Sequence, residues 1–261
     1  MELYGLIGKT LKHSFSGDYF AKKFKAKKID AEYRLWEMSE IRDLHDFARQ
    51  YPNLRGFNVT LPYKRNAVPF MDELSREAQL TGSVNVVKVF REGDNKIFLK
   101  GHNTDVIGFE KSLKPLIKGR RLLRALILGS GGSAHSVAYV LRKQGIYFNF
   151  VTRQPKKLEM MGYTWITPAV MEEYKLIVNT TPLGMYPAVD EAPDIPYELL
   201  TPGHILFDLI YNPEETLFLR RGHEKGALTK NGLEMLKIQA EESWKIWRKK
   251  ELLIARATGK N

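Results

Sequence analysis

The chain contains no cysteine, which excludes disulfides, a thiolate nucleophile and every metal site that uses sulfur from cysteine. Long apolar runs are also missing: no stretch approaches the roughly 18 to 20 uninterrupted apolar residues that a membrane-spanning helix needs. The opening Met1-Glu2-Leu3-Tyr4 lacks the basic-then-apolar order of a secretory signal, so a soluble, cytoplasmic protein with no membrane partner is expected. The six histidines show no HExxH or comparable ligand spacing, and no metal is expected. There is no internal repeat and no Pro/Gly/Ser-rich linker that would separate parts of the chain as independent beads. Acidic residues are in deficit, 30 against 41 Lys and Arg, which gives a net charge of +11. Such a balance suits nucleic acid, an anionic surface or small anionic ligands. Much of the excess lies in Lys22, Lys23, Lys25, Lys27 and Lys28 and in Lys245, Arg248, Lys249 and Lys250. These runs lack interleaved aromatic platforms and read as solvated helix faces, so no specific nucleic-acid partner is expected.

What remains is ample for folding: 261 residues, 43% hydrophobic, enough for two compact domains. Strand and helix alternate from the start. Leu3 to Ile7 reads as a strand, Gly17 to Ala26 as a helix, and Tyr33, Leu35 and Trp36 as part of a strand. Ser39 reads as the N-cap of a helix carrying Ile41, Leu44, Phe47 and Ala48, before a strand at Gly56 to Val59. Val84 to Val89 and Lys96 to Leu99 form a hairpin pattern around the polar turn Arg91-Glu92-Gly93-Asp94-Asn95. The second half restarts the alternation with strands at Leu122 to Leu128, Tyr147 to Thr152, Leu176 to Asn179 and Ile205 to Leu209, a parallel α/β pattern. A long helical pattern follows Gly232, through Leu233, Leu236, Trp244 and Trp247.

The apolar strand ending at Leu128 runs into Gly129-x-Gly131-x-x-Ala134, the dinucleotide-binding fingerprint in its proper strand–turn–helix context. Glycines there let backbone N–H groups approach a pyrophosphate at the positive end of the helix. At the end of the next strand, where NAD sites commonly carry a carboxylate, stands Thr152-Arg153-Gln154, with Lys156 and Lys157 behind. A guanidinium pairs with a 2′-phosphate where a carboxylate would repel it, so NADP is the expected cofactor.

Two ionisable residues stand out. Thr60 and Lys64 lie just past the strand Gly56 to Val59, at the strand edge where open α/β sheets bind ligands. Lysine can exchange a proton in carbonyl and alcohol interconversion when its surroundings lower its pKa toward neutrality. Asp105, in Asn103-Thr104-Asp105, sits at the start of a helix beside the candidate caps Asn103 and Thr104. Taken alone, Lys64 reads more readily as a surface lysine and Asp105 as a capping residue.

Read together, the motifs resemble the shikimate dehydrogenase family over nearly the whole chain. They are Leu6-Ile7-Gly8 with His13-Ser14-Phe15-Ser16, Asn58 to Lys64, Ser83-Val84-Asn85, Asn103-Thr104-Asp105 and the glycine turn. Asn179-Thr180-Thr181-Pro182-Leu183-Gly184-Met185, Asp208 to Pro213, and Asn231 to Leu236 followed by Gln239-Ala240 complete the order.

The resemblance implies an α/β chain of two domains, with a C-terminal helix returning to the first. Residues 1–103 and 234–261 would form a substrate-binding and catalytic domain, and residues 104–233 a doubly wound Rossmann domain for NADP. It implies reversible reduction of 3-dehydroshikimate to shikimate, with Lys64 and Asp105 catalytic. Ser14 and Ser16 would hold the substrate carboxylate; Thr60, Lys64, Asn85, Asp105 and Gln239 would bind its hydroxyls, with Tyr211 closing one side. Gly129, Gly131, Gly132 and Ala134 would line the pyrophosphate, Thr152 and Arg153 the 2′-phosphate, and Thr180, Leu209 and Gly232 the nicotinamide end. His13 reads as structural. Gly17 replaces the family's usual proline, which suggests a looser loop after the serine pair. The alternatives are a quinate or dual quinate/shikimate enzyme using NAD(P), and a catalytically silent nucleotide-binding protein. A monomer or homodimer is expected.

Overall fold

In a computed structural model of the protein, which describes residues 1–11, 14–92 and 96–250, the chain divides into two compact units. His13 and the Gly93-Asp94-Asn95 portion of the expected hairpin turn lie outside the described residues, as does the chain beyond residue 250. The first unit comprises Met1–Ala78, Val84–His102 and the chain from Ala240 onward, and the second Gln79–Ser83 and Asn103–Gln239.

The first unit is built on β1 (Glu2–Gly8), α1 (Phe15–Lys27), β2 (Ala31–Glu37), α2 (Leu44–Arg49), β3 (Leu54–Val59) and β4 (Glu73–Leu74). The short α3 (Arg76–Thr81) straddles the division, and β5 (Val86–Glu92) and β6 (Lys96–His102) complete the sheet. Its strand order is β2-β1-β3-β5-β6-β4, with β1 parallel to both neighbours and β5 antiparallel to β3 and β6. Central β1 is buried along six of its seven residues because both of its faces are covered. Leu3 and Ile7 join Phe57, Val59, Val87 and Leu99 on one face, while Tyr4 meets Phe20, Phe24, Val86 and Trp247 on the other.

The second unit runs α4 (Asp105–Ile117), β7 (Arg124–Leu128), α5 (Gly132–Lys143), β8 (Tyr147–Val151), β9 (Met160–Met161), α6 (Pro168–Glu173), β10 (Leu176–Asn179), β11 (Ile205–Asp208), α7 (Leu217–Glu224), β12 (Leu228–Lys230) and α8 (Leu233–Arg248). Its six strands pair in parallel in the order β12-β11-β10-β7-β8-β9. That is the doubly wound Rossmann order, whose direction of growth reverses between β7 and β10 and opens a ligand crevice at their carboxyl ends. Alternate residues of β7 feed opposite cores, Ala125 and Ile127 one, Leu126 and Leu128 the other. The helix α8 begins in this unit, and from Ala240 its residues belong to the first.

Two local expectations are corrected. Ser39 does not cap a helix; α2 starts at Leu44, and Asp43 accepts from the backbone N–H of His45 and Asp46 at 2.7 and 3.2 Å. Both residues are cap types one turn apart, and the aspartate adds a negative charge at the positive helix end. Gly17 lies inside the first turn of α1, as the helix expected from Gly17 to Ala26 requires, so no looser loop follows the serine pair there. Burial of Phe20 and Phe24 on that helix outweighs the roughly 1 kcal/mol cost of a helical glycine.

Candidate functional site

In the first unit, every expected site residue lies at one sheet edge, just past the carboxyl ends of β1 and β3. Ser14 is the N-cap position of α1 and Ser16 lies in its first turn, shortly after β1. Thr60 follows β3 directly, and its N–H donates to Ile7 O at 2.9 Å. The chain then turns, with Tyr63 N–H donating to Thr60 O at 2.9 Å, and Lys64 O accepts from Val84 N–H at 2.8 Å. That bond sets Lys64 beside Asn85, which precedes β5 and is 4% exposed. Asn85 is held from both sides: its N–H donates to His102 O at 3.0 Å and its carbonyl accepts from Val59 N–H at 2.9 Å.

A second layer ties the serine side to the asparagine side. Tyr33 Oη donates to Asn58 Oδ1 at 2.8 Å, and the Ser16 hydroxyl is hydrogen-bonded to the same phenol. Asn58 Nδ2 donates to Asn85 O at 3.1 Å and Ser243 Oγ at 3.0 Å. Burial raises the Tyr33 phenol well above its ordinary range and keeps it a donor. Sequence reasoning gave Tyr33 only a strand role. No local pattern marks a tyrosine whose partners stand on α1 and β3.

In the second unit, Asp105 is the first residue of α4 and is 1% exposed. Thr104 occupies the N-cap position but makes no side-chain cap bond. Asn103 supplies it instead, its Oδ1 accepting from Asp105 N–H at 3.1 Å while its Nδ2 donates to Thr81 Oγ1 and Ser136 Oγ, both at 2.9 Å. Gln239 lies on α8, and α4 and α8 approach closely at Gly108. A Cβ there would lie 2.8 Å from Met235 O and 3.5 Å from Gln239 Cβ. The structure thus brings Asp105 and Gln239 onto two helices in direct contact.

The expected cofactor residues gather at the crevice edge. Gly129 has φ +105°, and a Cβ on it would lie 2.8 Å from Thr180 Oγ1, so only glycine fits. Thr180 Oγ1 in turn donates to Leu128 O at 2.6 Å, which locks the ends of β7 and β10 together. Gly131 is the N-cap of α5; no side chain caps the helix there, and a Cβ on Gly131 would meet nothing within 4 Å. Gly132 and Ala134 are buried behind it. Thr152 and the exposed Arg153 follow β8, and the guanidinium is near enough to Tyr163 to oppose the upward push of burial on that phenol. Leu209 and Gly232 touch, because a Cβ on Gly232 would lie 2.1 Å from Leu209 O. Tyr211 lies two residues further along the same loop, partly buried.

Asp208, at the end of β11, is fully buried, and its carboxyl accepts from Thr216 Oγ1, Ile210 N–H and Asn179 Nδ2 at 2.6, 3.0 and 3.1 Å. Burial dominates these bonds and pushes its pKa from 3.8 to about 6. A carboxyl that holds its proton more tightly folded than unfolded adds stability below its unfolded pKa and loses it as pH rises through the folded one. Stability from this group should therefore fall between about pH 4 and pH 6, by on the order of 3 kcal/mol at 1.36 kcal/mol per pKa unit. Urea unfolding from pH 4 to 7 should show a flatter profile in Asp208→Asn than in the unmodified chain; parallel profiles would contradict the assignment.

Similarity to known proteins identifies the class. Residues 6–87 match the family model of the shikimate dehydrogenase substrate binding domain. A shikimate dehydrogenase (NADP(+)) of Methanococcus maripaludis is 35% identical over 261 residues, covering 94% of this chain and 91% of that protein. The crystal structure of a Thermus thermophilus shikimate 5-dehydrogenase in complex with NADP(H) and shikimate superposes with a TM-score of 0.80 at 30% identity, covering 95% of this chain and 94% of that one. A Corynebacterium glutamicum quinate dehydrogenase in complex with NAD gives a TM-score of 0.81 at 26% identity, covering 95% of this chain and 93% of that one. The chain belongs to the shikimate dehydrogenase family. Among the described residues no helix is long and apolar enough to cross a membrane.

Proposed function

We propose that this protein is an NADP-dependent shikimate dehydrogenase that reversibly reduces 3-dehydroshikimate to shikimate. The observation that carries the reading is the presence, in one chain, of Lys64 and Asn85 at the carboxyl edge of one α/β sheet and of an uncapped glycine turn at the crevice of a Rossmann sheet. In this reading residues 1–103 and 234–261 bind substrate and residues 104–233 bind NADP. The protein acts as a monomer or homodimer.

The residues fit the cofactor. Gly131 leaves open space over the first turn of α5, where unshared backbone N–H groups suit a pyrophosphate, and Gly129, Gly132 and Ala134 let the backbone come close. Thr152 and Arg153 would hold the 2′-phosphate, and Thr180, Leu209 and Gly232 the nicotinamide end. When bound, NADPH supplies the hydride. On the protein side, Ser14 and Ser16 donate to the substrate carboxylate, while Thr60, Asn85 and Gln239 fix its hydroxyls and Tyr211 closes one side. Lys64 gives its proton to the oxygen that becomes the new hydroxyl and takes it back in the reverse direction. Asp105 orients a substrate hydroxyl.

Addition of 3-dehydroshikimate to purified protein and NADPH should consume cofactor and form shikimate in equal amounts. Absence of consumption would reject the proposal. Replacement of Arg153 by alanine should raise KM for NADP by about 10- to 100-fold, the worth of one or two charge-assisted bonds, and leave KM for NAD nearly unchanged. Equal losses with both cofactors would reject Arg153 as the phosphate ligand.

A further inference from the structure

We infer that Asp208 is a positioning residue for the nicotinamide end of the cofactor, tying together the segments that follow β10 and β11 and the start of α7. The inference rests on the NADP reading above. Asp208 is fully buried, and no basic side chain forms an ion pair with it among the described residues. Its two oxygens face three donors on three segments. Oδ1 accepts from Asn179 Nδ2 and Ile210 N–H, and Oδ2 accepts from the Thr216 hydroxyl.

Being an acceptor only, the carboxylate settles which way the Asn179 amide points. Nδ2 is drawn to Asp208, which leaves Asn179 Oδ1 to accept from Thr181 N–H at 3.0 Å and Thr181 Oγ1 at 2.7 Å. Thr180, between those two residues, is thereby fixed. The bond to Ile210 N–H fixes Leu209 in the same way, and Ile210 O receives Gly232 N–H at 2.8 Å. One carboxylate therefore sets Thr180, Leu209 and Gly232, the residues assigned to the nicotinamide end. The Thr216 hydroxyl is committed as well, since it accepts from Leu219 N–H at 3.3 Å as the cap of α7 while donating to Asp208. An asparagine at 208 could serve the donors at Oδ1 but would turn an N–H₂ toward Thr216 Oγ1, which could then only accept there, so the buried hydroxyl proton would lose its acceptor. A buried, unpaired carboxyl is a costly way to build a loop, and such costs concentrate where binding or catalysis requires them.

The test compares binding of NADPH with binding of 2′,5′-ADP, which carries the adenosine half of the cofactor and no nicotinamide. In the full-length Asp208→Asn variant, Kd for NADPH should rise about tenfold, the worth of one lost hydrogen bond to a charged group, while Kd for 2′,5′-ADP stays within about twofold. Thr216→Val should give the same pattern, and Thr216→Ser, which keeps the hydroxyl, should return NADPH affinity toward that of the unmodified chain. Equal weakening of both ligands, or unchanged NADPH binding in Asp208→Asn, would overturn the positioning role and leave the NADP reading intact. An unmodified chain that binds neither ligand would overturn that reading and the positioning role together.

Discussion

Lys64→Ala should lower turnover of shikimate by about a thousandfold, the scale of a lost general acid or base, while NADPH binds within about threefold of its normal affinity. The separation follows from where the residue sits. Lys64 lies in the turn after β3 of the first unit, whereas the glycine turn, Thr152 and Arg153 all lie in the second. The Lys64 carbonyl accepts from Val84 N–H, a backbone bond that alanine retains. Far-UV circular dichroism of the variant should match that of the unmodified chain. Near-normal turnover would reject Lys64 as the proton donor, and loss of NADPH binding would mean that the substitution disturbs more than the chemistry.

Trp247→Ala should cost about 3 to 5 kcal/mol of stability, the range for truncating a buried large aromatic. Against the 5 to 15 kcal/mol typical of whole domains, that is a major loss. Trp247 is 5% exposed, and its Nε1–H donates to Val87 O at 3.0 Å. The indole lies against Gly56, where a Cβ would come within 2.3 Å, and its ring centroid is 4.9 Å from Tyr4 and 5.5 Å from Phe20. Alanine would leave a cavity beside β1 and β3 and remove the indole hydrogen bond to Val87 O on β5. Denaturant unfolding should show the midpoint falling sharply, and a change below about 1 kcal/mol would contradict the packing of α8 on that sheet. The tryptophan also touches Tyr33 at a centroid distance of 6.4 Å, so a surviving variant should bind substrate less well through the loosened Ser16–Tyr33–Asn58 chain.

Much of this was legible in the sequence. Apolar strands such as Leu176 to Asn179 and the run ending at Leu128 declare themselves because parallel strands covered on both faces need continuous hydrophobic sequence. The glycine turn is equally legible, since the φ of +105° at Gly129 and the contact with Thr180 admit no side chain. Starting points of helices were harder. Ser39 and Asp43 both have cap chemistry, and only the packing of Leu44, Phe47 and Ala48 decides between them. Gly17 sits in a helix because distant aromatic burial overrides its propensity. Least legible were Tyr33 and Asp208. Their roles depend on partners from other strands and helices, Asn58 and Ser16 for one, Asn179 and Thr216 for the other, and no spacing rule links those positions.

The substrate side carries a specific consequence. Quinate bears a C1 hydroxyl beside its carboxylate, which a carboxylate site made by the proposed pair Ser14 and Ser16 would crowd, so the proposal expects a preference for shikimate. Initial rates of oxidation of shikimate and quinate, each with NADP and with NAD, test the whole account at once. Shikimate with NADP should be the fastest of the four combinations; faster oxidation of quinate, or a preference for NAD, would contradict it.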